Sequence, residues 1–299
     1  MAFLTIFTAP KPFTNPHIAI IQRNAVQAWK SLQDVEVILI GDEDGIPEVA
    51  KEFGVNHVPV VKRDGKGIPL VNAVMEIGHK YSESPLLCYA NADMLLMSDL
   101  VHAARLVSEQ VKEFLVVGQR WDLDQTEPID FSDDWESRVR LDVAERGKFY
   151  SPWGIDYFIF PRHLYTEVPD FTIGRPAWDN WMIYHARRTF GMAIDASQDI
   201  LAVHQTHDYS HLPGNRPPYG SEVAKSNTAK AGGRKCAYNI LDTNRELVHG
   251  HIRKPEIRAV RWLRWLERKL ISEDQKGWRW ELSLRLQQMQ RPLAIKPRR

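Results

Sequence analysis

An amide and a carboxylate stand two residues apart directly after an apolar run that predicts a buried strand. The run covers residues 86–89, and it is followed by Asn91-Ala92-Asp93 before the chain turns apolar again. In an open α/β sheet, ligands bind at the carboxyl ends of the strands. Oxygen ligands at that edge suit a hard cation such as Mg²⁺ or Mn²⁺ that bridges the phosphates of a nucleotide. The alternative interpretation is an ordinary turn, since Asn and Asp are frequent turn residues.

Two further carboxylates lie beside aromatic residues. Asp179 falls in the first turn of a predicted helix, flanked by Trp178 and Trp181. The helix N-terminus favours the ionised carboxylate, whereas the apolar flanks raise its pKa by desolvation, a competition that can tune a general base. Helix capping is the competing explanation for Asp179. Asp156, just after Trp153 and before an apolar strand, could accept a hydrogen bond from a substrate hydroxyl or simply end a turn.

Three histidines follow a later apolar strand. His204, His207 and His211 stand at intervals of three and four residues. Neutral imidazole is a good ligand for transition metals such as Mn²⁺. A zinc site is the competing interpretation, but it needs at least three nitrogen or sulfur ligands as a rule, and the sequence has neither an HExxH pattern nor paired cysteines.

The composition is that of a globular protein with a sizeable core. The chain has 299 residues, 43% of them hydrophobic and 26% charged, and a formal net charge of +1. With a net charge this close to zero, no general electrostatic attraction to nucleic acid is expected. Residues 1–10 lack the pattern of a secretory signal, and no run of 18 or more apolar residues occurs. Together with only two cysteines, these features predict a cytoplasmic protein without a transmembrane helix.

Short apolar runs alternate with helical patterns over residues 3–118. This alternation predicts βαβ units and an α/β fold with a mostly parallel sheet flanked by helices. Residues 121–153 form an acidic, tryptophan-rich segment without clean periodicity at first. Residues 256–271 form a basic helix that contains Trp262 and Trp265. This helix could lie peripherally on an anionic membrane through residues 256–272, or its apolar face could pack on the domain or on a second subunit in a homo-oligomer.

In its motifs and their order, the chain resembles a nucleotide-sugar-dependent glycosyltransferase of the GT-A fold, of the family-2-like kind. The motifs are the tripeptide that begins at Asn91, Asp179 with its flanking tryptophans, and the histidines after the late strand. The likeness covers about residues 3–211. It implies a GT-A domain over residues 1–212, with a nucleotide-sugar half at about 1–120 and an acceptor half at about 121–212. A loop-rich segment at 213–255 and a basic, tryptophan-rich helical extension at 256–299 would follow.

The resemblance also implies roles for single residues. Asp179 is the expected general base, and Asp156 is a second catalytic candidate. Asp93, His204 and His207 would hold Mn²⁺ or Mg²⁺, although Asn91 stands where the family motif has its first Asp, which lowers the charge of the site. The residues expected to bind the nucleotide-sugar are Thr8, Ala9, Pro10, Asp42, Asn72, Asn91, Ala92 and Asp93. The residues expected to shape the acceptor cleft are Trp121, Trp153, Trp178 and Trp181.

The implied function is transfer of a sugar from a UDP- or GDP-sugar to the hydroxyl of a glycan or lipid-linked acceptor, with inversion favoured by the resemblance. A non-catalytic nucleotide-sugar or carbohydrate-binding protein on a degenerate transferase fold is the alternative, and Asn91 is the feature that fits it best. A sugar nucleotidyltransferase is disfavoured because the first loop, residues 8–14, contains no glycine. The sequence does not identify the donor sugar, the acceptor or the oligomeric state.

Overall fold

Strand β4 (Leu86–Ala90) is apolar at every position because both of its faces are covered. Leu86 and Cys88 belong to one hydrophobic core, whereas Leu87 and Tyr89 belong to another. Successive side chains of a strand point to opposite faces, so a continuous apolar run is what a sheet between two layers of helices requires.

The computed structural model describes residues 1–207 and 221–294. The strands in these ranges are β1 (Leu4–Thr8), β2 (Val35–Ile40), β3 (Asn56–Val58), β4, β5 (Met94–Leu95), β6 (Leu115–Val117), β7 (Arg120–Leu123), β8 (Lys148–Phe149), β9 (Tyr157–Pro161), β10 (Ala193–Asp195), β11 (Ala202–Gln205), β12 (Arg245–Val248) and β13 (His251–Arg253).

The central sheet, as far as the structure describes it, has the strand order β13-β12-β10-β6-β9-β4-β1-β2-β3. Neighbours are parallel among β3, β2, β1 and β4 and among β6, β10 and β12, whereas β9 runs antiparallel to both β4 and β6. The predicted α/β class with a mostly parallel sheet is therefore confirmed.

The helices in the same ranges are α1 (Pro16–Lys30), α2 (Ile46–Phe53), α3 (Val71–Tyr81), α4 (Ser98–Gln110), α5 (Trp135–Arg146), α6 (Trp178–Thr189), α7 (Glu222–Lys230), α8 (Ala259–Leu270) and α9 (Gly277–Ala294). Helices α1, α2 and α4 contribute to the core on one face of the central sheet, and α3 and α6 contribute to the core on the other face. Helices α8 and α9 form the expected helical C-terminal extension.

A smaller sheet with the order β5-β11-β7-β8 brings the candidate site together. Strand β11 pairs with β5 and with β7, and this register sets His204 beside Met94 on one side and Asp122 on the other. Because β5 begins directly after Asp93, the small sheet fixes a histidine from late in the chain next to the Asn91-Ala92-Asp93 turn.

The segment 213–255, expected to be rich in loops, contains regular structure in its described part. Helix α7 begins after Ser221, whose hydroxyl caps it, and β12 extends the central sheet by pairing with β10. Strands of three or four residues are too short to show a period in sequence. Residues 208–220, which include His211, lie outside the described residues.

The C-terminal extension is held to the domain by a buried group of charges. Arg264 on α8 is only 1% exposed and donates hydrogen bonds to Asp242, at 2.7 Å, and to Glu267, at 2.8 Å. Arg261 reaches Glu246, at 3.0 Å, in the same region. Two arginines of the predicted basic helix therefore point into the protein, because acidic residues of the preceding segment pair with them.

The packing of α8 supports the alternative in which its apolar face meets the domain. Val260 and Leu263 are buried, whereas Trp262 and Trp265 are 58% and 55% exposed. Among the described residues, no helix combines the length and the apolar character needed to cross a membrane.

Replacing Arg264 should be costly for stability. Arg264→Met removes the buried cation that Asp242 and Glu267 share, so we expect the free energy of unfolding to fall by about 3–5 kcal/mol. Urea denaturation followed by circular dichroism measures the change. Arg285→Gln, on the exposed side of α9, is the matched control and should change stability by less than about 0.5 kcal/mol. Equal effects of the two substitutions would contradict the structural role of Arg264.

Candidate active site

Asp93, His204 and His207 converge at the carboxyl end of β4. The Nε2 atom of His207 lies 3.2 Å from Oδ2 of Asp93, and Nε2 of His204 lies 3.8 Å from the same oxygen. The three groups can each offer one ligand atom, and these atoms lie within 4.8 Å of one another. Two imidazoles and one carboxylate at such spacing are suited to a divalent transition metal.

One oxygen of Asp93 is left for a ligand. Its Oδ1 atom is buried and has no hydrogen-bond partner among the described residues, and a buried unpaired carboxylate oxygen is costly unless something binds it. Burial alone would raise the pKa of Asp93, but the charge of His204, the hydrogen bond from His207 and the charge of Lys11 hold that pKa well below its usual range. The residues present therefore fit a bound cation.

Arg120 connects this metal-ligand group to a second carboxylate. Its guanidinium donates to Asp122, at 3.0 Å, and to Asp156, at 2.6 Å, and Asp122 in turn contacts Nδ1 of His204 at 3.1 Å. Such a contact to the second ring nitrogen orients a metal-binding imidazole. Burial alone would lower the pKa of Arg120, but Asp156 and Asp122 raise it above the ordinary value.

The hydrogen bonds of Asn91 explain why an amide side chain fits at position 91. Nδ2 of Asn91 donates to Oδ1 of Asp156 at 2.7 Å, and Oδ1 of Asn91 accepts from the Tyr89 hydroxyl at 3.3 Å. An Asp at position 91 would set two carboxylates against each other, because a carboxylate has no N–H to donate. Asn91 thus follows from the presence of Asp156, and Asp93 is the carboxylate of the tripeptide that reaches the metal-ligand group.

A cavity of about 640 Å³ opens beside this network and contains Asp179. Asn91, Asp156 and Asp179 line it together with Trp153 and Trp178. Burial, and to a lesser degree the charge of Asp156, raises the pKa of Asp179 to about 7, although the backbone N–H of Asn180 stabilises its ionised form. A carboxyl group with this pKa can exchange protons near neutral pH, which is the property that a general base requires.

The backbone that carries Asp179 is strained at the start of α6. Ala177 adopts φ 94°, a conformation that residues with a side chain rarely adopt. Asn180 also fixes the first turn of α6, since its Nδ2 donates a hydrogen bond to the carbonyl of Tyr238 at 2.7 Å. The first turn of α6 is therefore held in one orientation, and Asp179 with it.

The residues expected to bind the nucleotide lie along the carboxyl edge of the parallel strands. Thr8, Ala9 and Pro10 end or follow β1, Asp42 follows β2, and Asn72 lies in the first turn of α3. Because β1, β2 and β4 are parallel, this edge also carries the Asn91-Ala92-Asp93 turn.

Two of these positions have unsatisfied polar atoms. Oγ1 of Thr8 and Oδ1 of Asn72 are buried and have no hydrogen-bond partner among the described residues. Asp42 differs, because its carboxylate pairs with Arg63 at 2.5 Å. Thr8 and Asn72 therefore have bonding capacity to offer a ligand, whereas Asp42 would have to share its oxygens with Arg63.

The four tryptophans expected at the acceptor cleft are placed in different surroundings. Trp153 and Trp178 line the cavity with Asp179. Trp121 packs against Phe149 beside a separate, smaller cavity. Trp181 is buried in the core, where it stacks on His185 with ring centroids 4.5 Å apart. The structure thus brings two of the four tryptophans to Asp179.

Several site residues escaped the sequence analysis. The Nζ atom of Lys11 lies 3.3 Å from Nε2 of His207. Arg120 and Asp122 connect His204 of the metal-ligand group to Asp156. Lys11 lies in the loop after β1, and Arg120 and Asp122 lie within the half-buried strand β7. Charges within a strand were an available signal, since charged residues are rarely buried without a partner. Arg234 and Arg291 also line the cavity, but nothing in the local sequence indicates where α9 packs.

No protein family model and no curated protein matches this chain. Solved structures similar to it include glucosyl-3-phosphoglycerate synthase of Mycobacterium tuberculosis, with 13% identity and a TM-score of 0.48 over 78% of this chain and 81% of that one. The same enzyme with Mn²⁺, UDP-glucose and phosphoglyceric acid has 12% identity and a TM-score of 0.45 over 86% and 88% of the two chains.

The mannosyltransferase PcManGT of Pyrobaculum calidifontis, in complex with GDP-Man and Mn²⁺, is also similar, with 12% identity and a TM-score of 0.45 over 77% of this chain and 72% of that one. These solved proteins are glycosyltransferases, the class that the sequence resembles. Because the identities are so low and the TM-scores lie below 0.5, neither activity nor substrate is transferred from them to this chain.

Proposed function

We propose that this protein is a metal-assisted glycosyltransferase that uses a nucleoside-diphosphate sugar. One observation carries the proposal: the group Asp93, His204 and His207 is connected through Arg120 and Asp156 to the cavity that contains Asp179. A candidate cation-binding group beside a cavity that contains a carboxyl group of raised pKa and an aromatic lining supports sugar transfer from a diphosphate donor.

Asp93, His204 and His207 are the residues that would hold the metal. When bound there, a divalent cation supplies positive charge that stabilises the departing diphosphate. Two imidazole ligands favour Mn²⁺ over Mg²⁺, since Mg²⁺ is bound mainly through oxygen atoms. Lys11 and Arg120 add fixed positive charge to the same region. Thr8 and Asn72, with their unpaired oxygens, support a nucleotide along the edge of β1, with UDP or GDP as the candidates.

Asp179 is the proposed general base. Its ionised carboxylate accepts the proton of the acceptor hydroxyl while the hydroxyl oxygen bonds to the anomeric carbon and the bond from that carbon to the diphosphate breaks. A single displacement of this kind inverts the configuration of the sugar. Trp153 and Trp178 add apolar lining to the cavity, which helps to exclude water from it. Asp156 is held by Arg120 and Asn91, so its role is to orient the site.

Donor binding should require both the metal and Asp93. In a thermal-shift assay with UDP and GDP, each with Mn²⁺, Mg²⁺, Zn²⁺ or EDTA, we expect one nucleotide to raise the melting temperature with Mn²⁺ and not with EDTA. Asp93→Asn should abolish this rise because it removes the only carboxylate of the metal-ligand group.

Asp133→Asn, an exposed aspartate outside the site, is the control and should keep the full shift. A nucleotide shift that persists in EDTA would remove the metal from the proposal. The absence of a shift with every nucleotide tested would count against the transferase itself.

Asp179→Asn should separate binding from chemistry. We expect the rate of sugar transfer to fall by about 10²–10⁴-fold, while the rise in melting temperature with UDP and Mn²⁺ stays that of the unmodified protein.

Because burial raises the pKa of Asp179 to about 7, the base form is lost as the pH falls, so the transfer rate of the unmodified protein should decline below about pH 7. Turnover of a radiolabelled nucleotide-sugar measures both effects, and a variant that retains half of the rate would exclude Asp179 as the base.

The exposed indoles of the C-terminal extension support a peripheral membrane contact and a lipid-linked acceptor. Trp262, Trp265 and Trp278 are all more than half exposed, and indole rings partition into the interface of a bilayer. The inward pairing of Arg261 and Arg264 lowers the positive charge that the sequence assigned to this surface. The cytoplasmic location stays a prediction.

Flotation with vesicles that contain an anionic phospholipid tests this contact. The double change Trp262→Ser and Trp265→Ser should lower the bound fraction several-fold, since it removes the exposed apolar area that would enter the interface. Leu141→Ser, at a 70% exposed apolar position on α5, is the control. If the unmodified protein does not float with the vesicles, the membrane contact is wrong.

A further inference from the structure

Three arginines line the cavity around Asp179. Arg175 lies in the turn before α6, Arg234 lies in the short turn after α7, and Arg291 lies in the last turns of α9. Within the described residues the structure gives none of their guanidinium groups a carboxylate partner. Arg175 donates to the carbonyl of its neighbour Gly174, and the guanidinium of Arg234 lies 5.4 Å from the ring centre of Trp280.

The carboxylates that share the cavity with these arginines are already engaged elsewhere. Asp156 accepts from Arg120 at 2.6 Å and from Asn91 at 2.7 Å. Glu267 accepts from Arg264 and from Gln290, each at 2.8 Å. Asp156 and Glu267 therefore do not neutralise the arginines of the cavity wall. Asp179 is the remaining carboxyl group of the lining.

The C-terminal extension makes one wall of this cavity. Trp280, Leu284 and Gln287 of α9 line it together with Trp153 and Trp178. The cavity thus combines aromatic side chains, a candidate base and guanidinium groups without a carboxylate partner within about 640 Å³, a volume in the range of small-molecule sites.

We infer that this cavity binds an acceptor that carries an anionic group, a phosphate monoester or a carboxylate, with Arg234 and Arg291 as its partners. The inference rests on the proposed transferase and names the acceptor class of the same site. Guanidinium groups bind both anions through paired N–H donors. A neutral acceptor would leave these guanidinium groups without an anionic partner. A polar site discriminates in this way against an analogue that lacks the matching group.

Direct binding of a matched series of small probes tests the inference. Glucose 6-phosphate, glucuronic acid and glucose share a ring and differ in charge. Titration calorimetry on protein that has been freed of divalent metal and transferred to chelator-free buffer keeps metal-bound anions out of the measurement. We expect one anionic probe to bind on the order of tenfold or more tightly than glucose, because hydrogen bonds to charged groups are the stronger ones. The probe that binds distinguishes a phosphate from a carboxylate.

Single substitutions locate the anion. Arg234→Gln and Arg291→Gln should each weaken the preferred anionic probe by about tenfold and leave glucose unaffected, while Arg285→Gln, on the outer side of the same helix as Arg291, should leave both unchanged. Equal binding of all three probes, or an equal loss in Arg285→Gln, would overturn the inference.

The same samples titrated with UDP and Mn²⁺ keep the two proposals apart. Intact UDP binding without any preference for an anionic probe overturns the acceptor class alone. Anion binding that depends on Arg234 and Arg291, in a protein that binds no nucleotide, supports the cavity assignment and counts against the transferase.

Discussion

The position of Arg120 between two carboxylates is the constraint on which the site depends. Arg120 belongs to the small sheet, whereas Asp156 precedes β9 of the central sheet, so this one guanidinium joins the two sheets at the edge where ligands bind. Buried charges are stable only when they are paired. Asp122 can therefore orient His204, and Asp156 can hold Asn91, only while Arg120 stays between them.

The same constraint explains why the turn after β4 contains an amide. The family motif that the sequence resembles has an Asp at the first position of the tripeptide, but here Asp156 needs a hydrogen-bond donor at that point, and Asn91 supplies it at 2.7 Å. The charge lost at Asn91 leaves Asp93 with two imidazoles, and this donor set suits Mn²⁺ better than Mg²⁺. Asn91 is therefore compatible with a metal-ligand group at this strand end.

The C-terminal extension has a second role besides covering the domain. Arg264 pairs with Asp242 and so holds α8 on the domain, and α9 then presents Trp280 and Arg291 to the cavity. Because ionic contacts between segments distant in sequence hold this wall, its residues can differ between related folds without disturbing the metal-ligand group. An acceptor preference encoded there would depend on residues that lie outside the metal-ligand group.

The sequence by itself determined the local features of this protein. Continuous apolar runs predicted the buried strands, the alternation of strands and helices predicted the mostly parallel sheet, and Asn91-Ala92-Asp93 marked the strand end where the candidate site lies. The tertiary structure decided what depends on pairing at a distance: the antiparallel β9, the small sheet that sets His204 beside Asp122, and the inward arginines of α8. Periodicity reports which face of an element is buried, but it carries no information about which distant charge satisfies Arg120 or Arg264. The partners of those buried charges had to come from the fold.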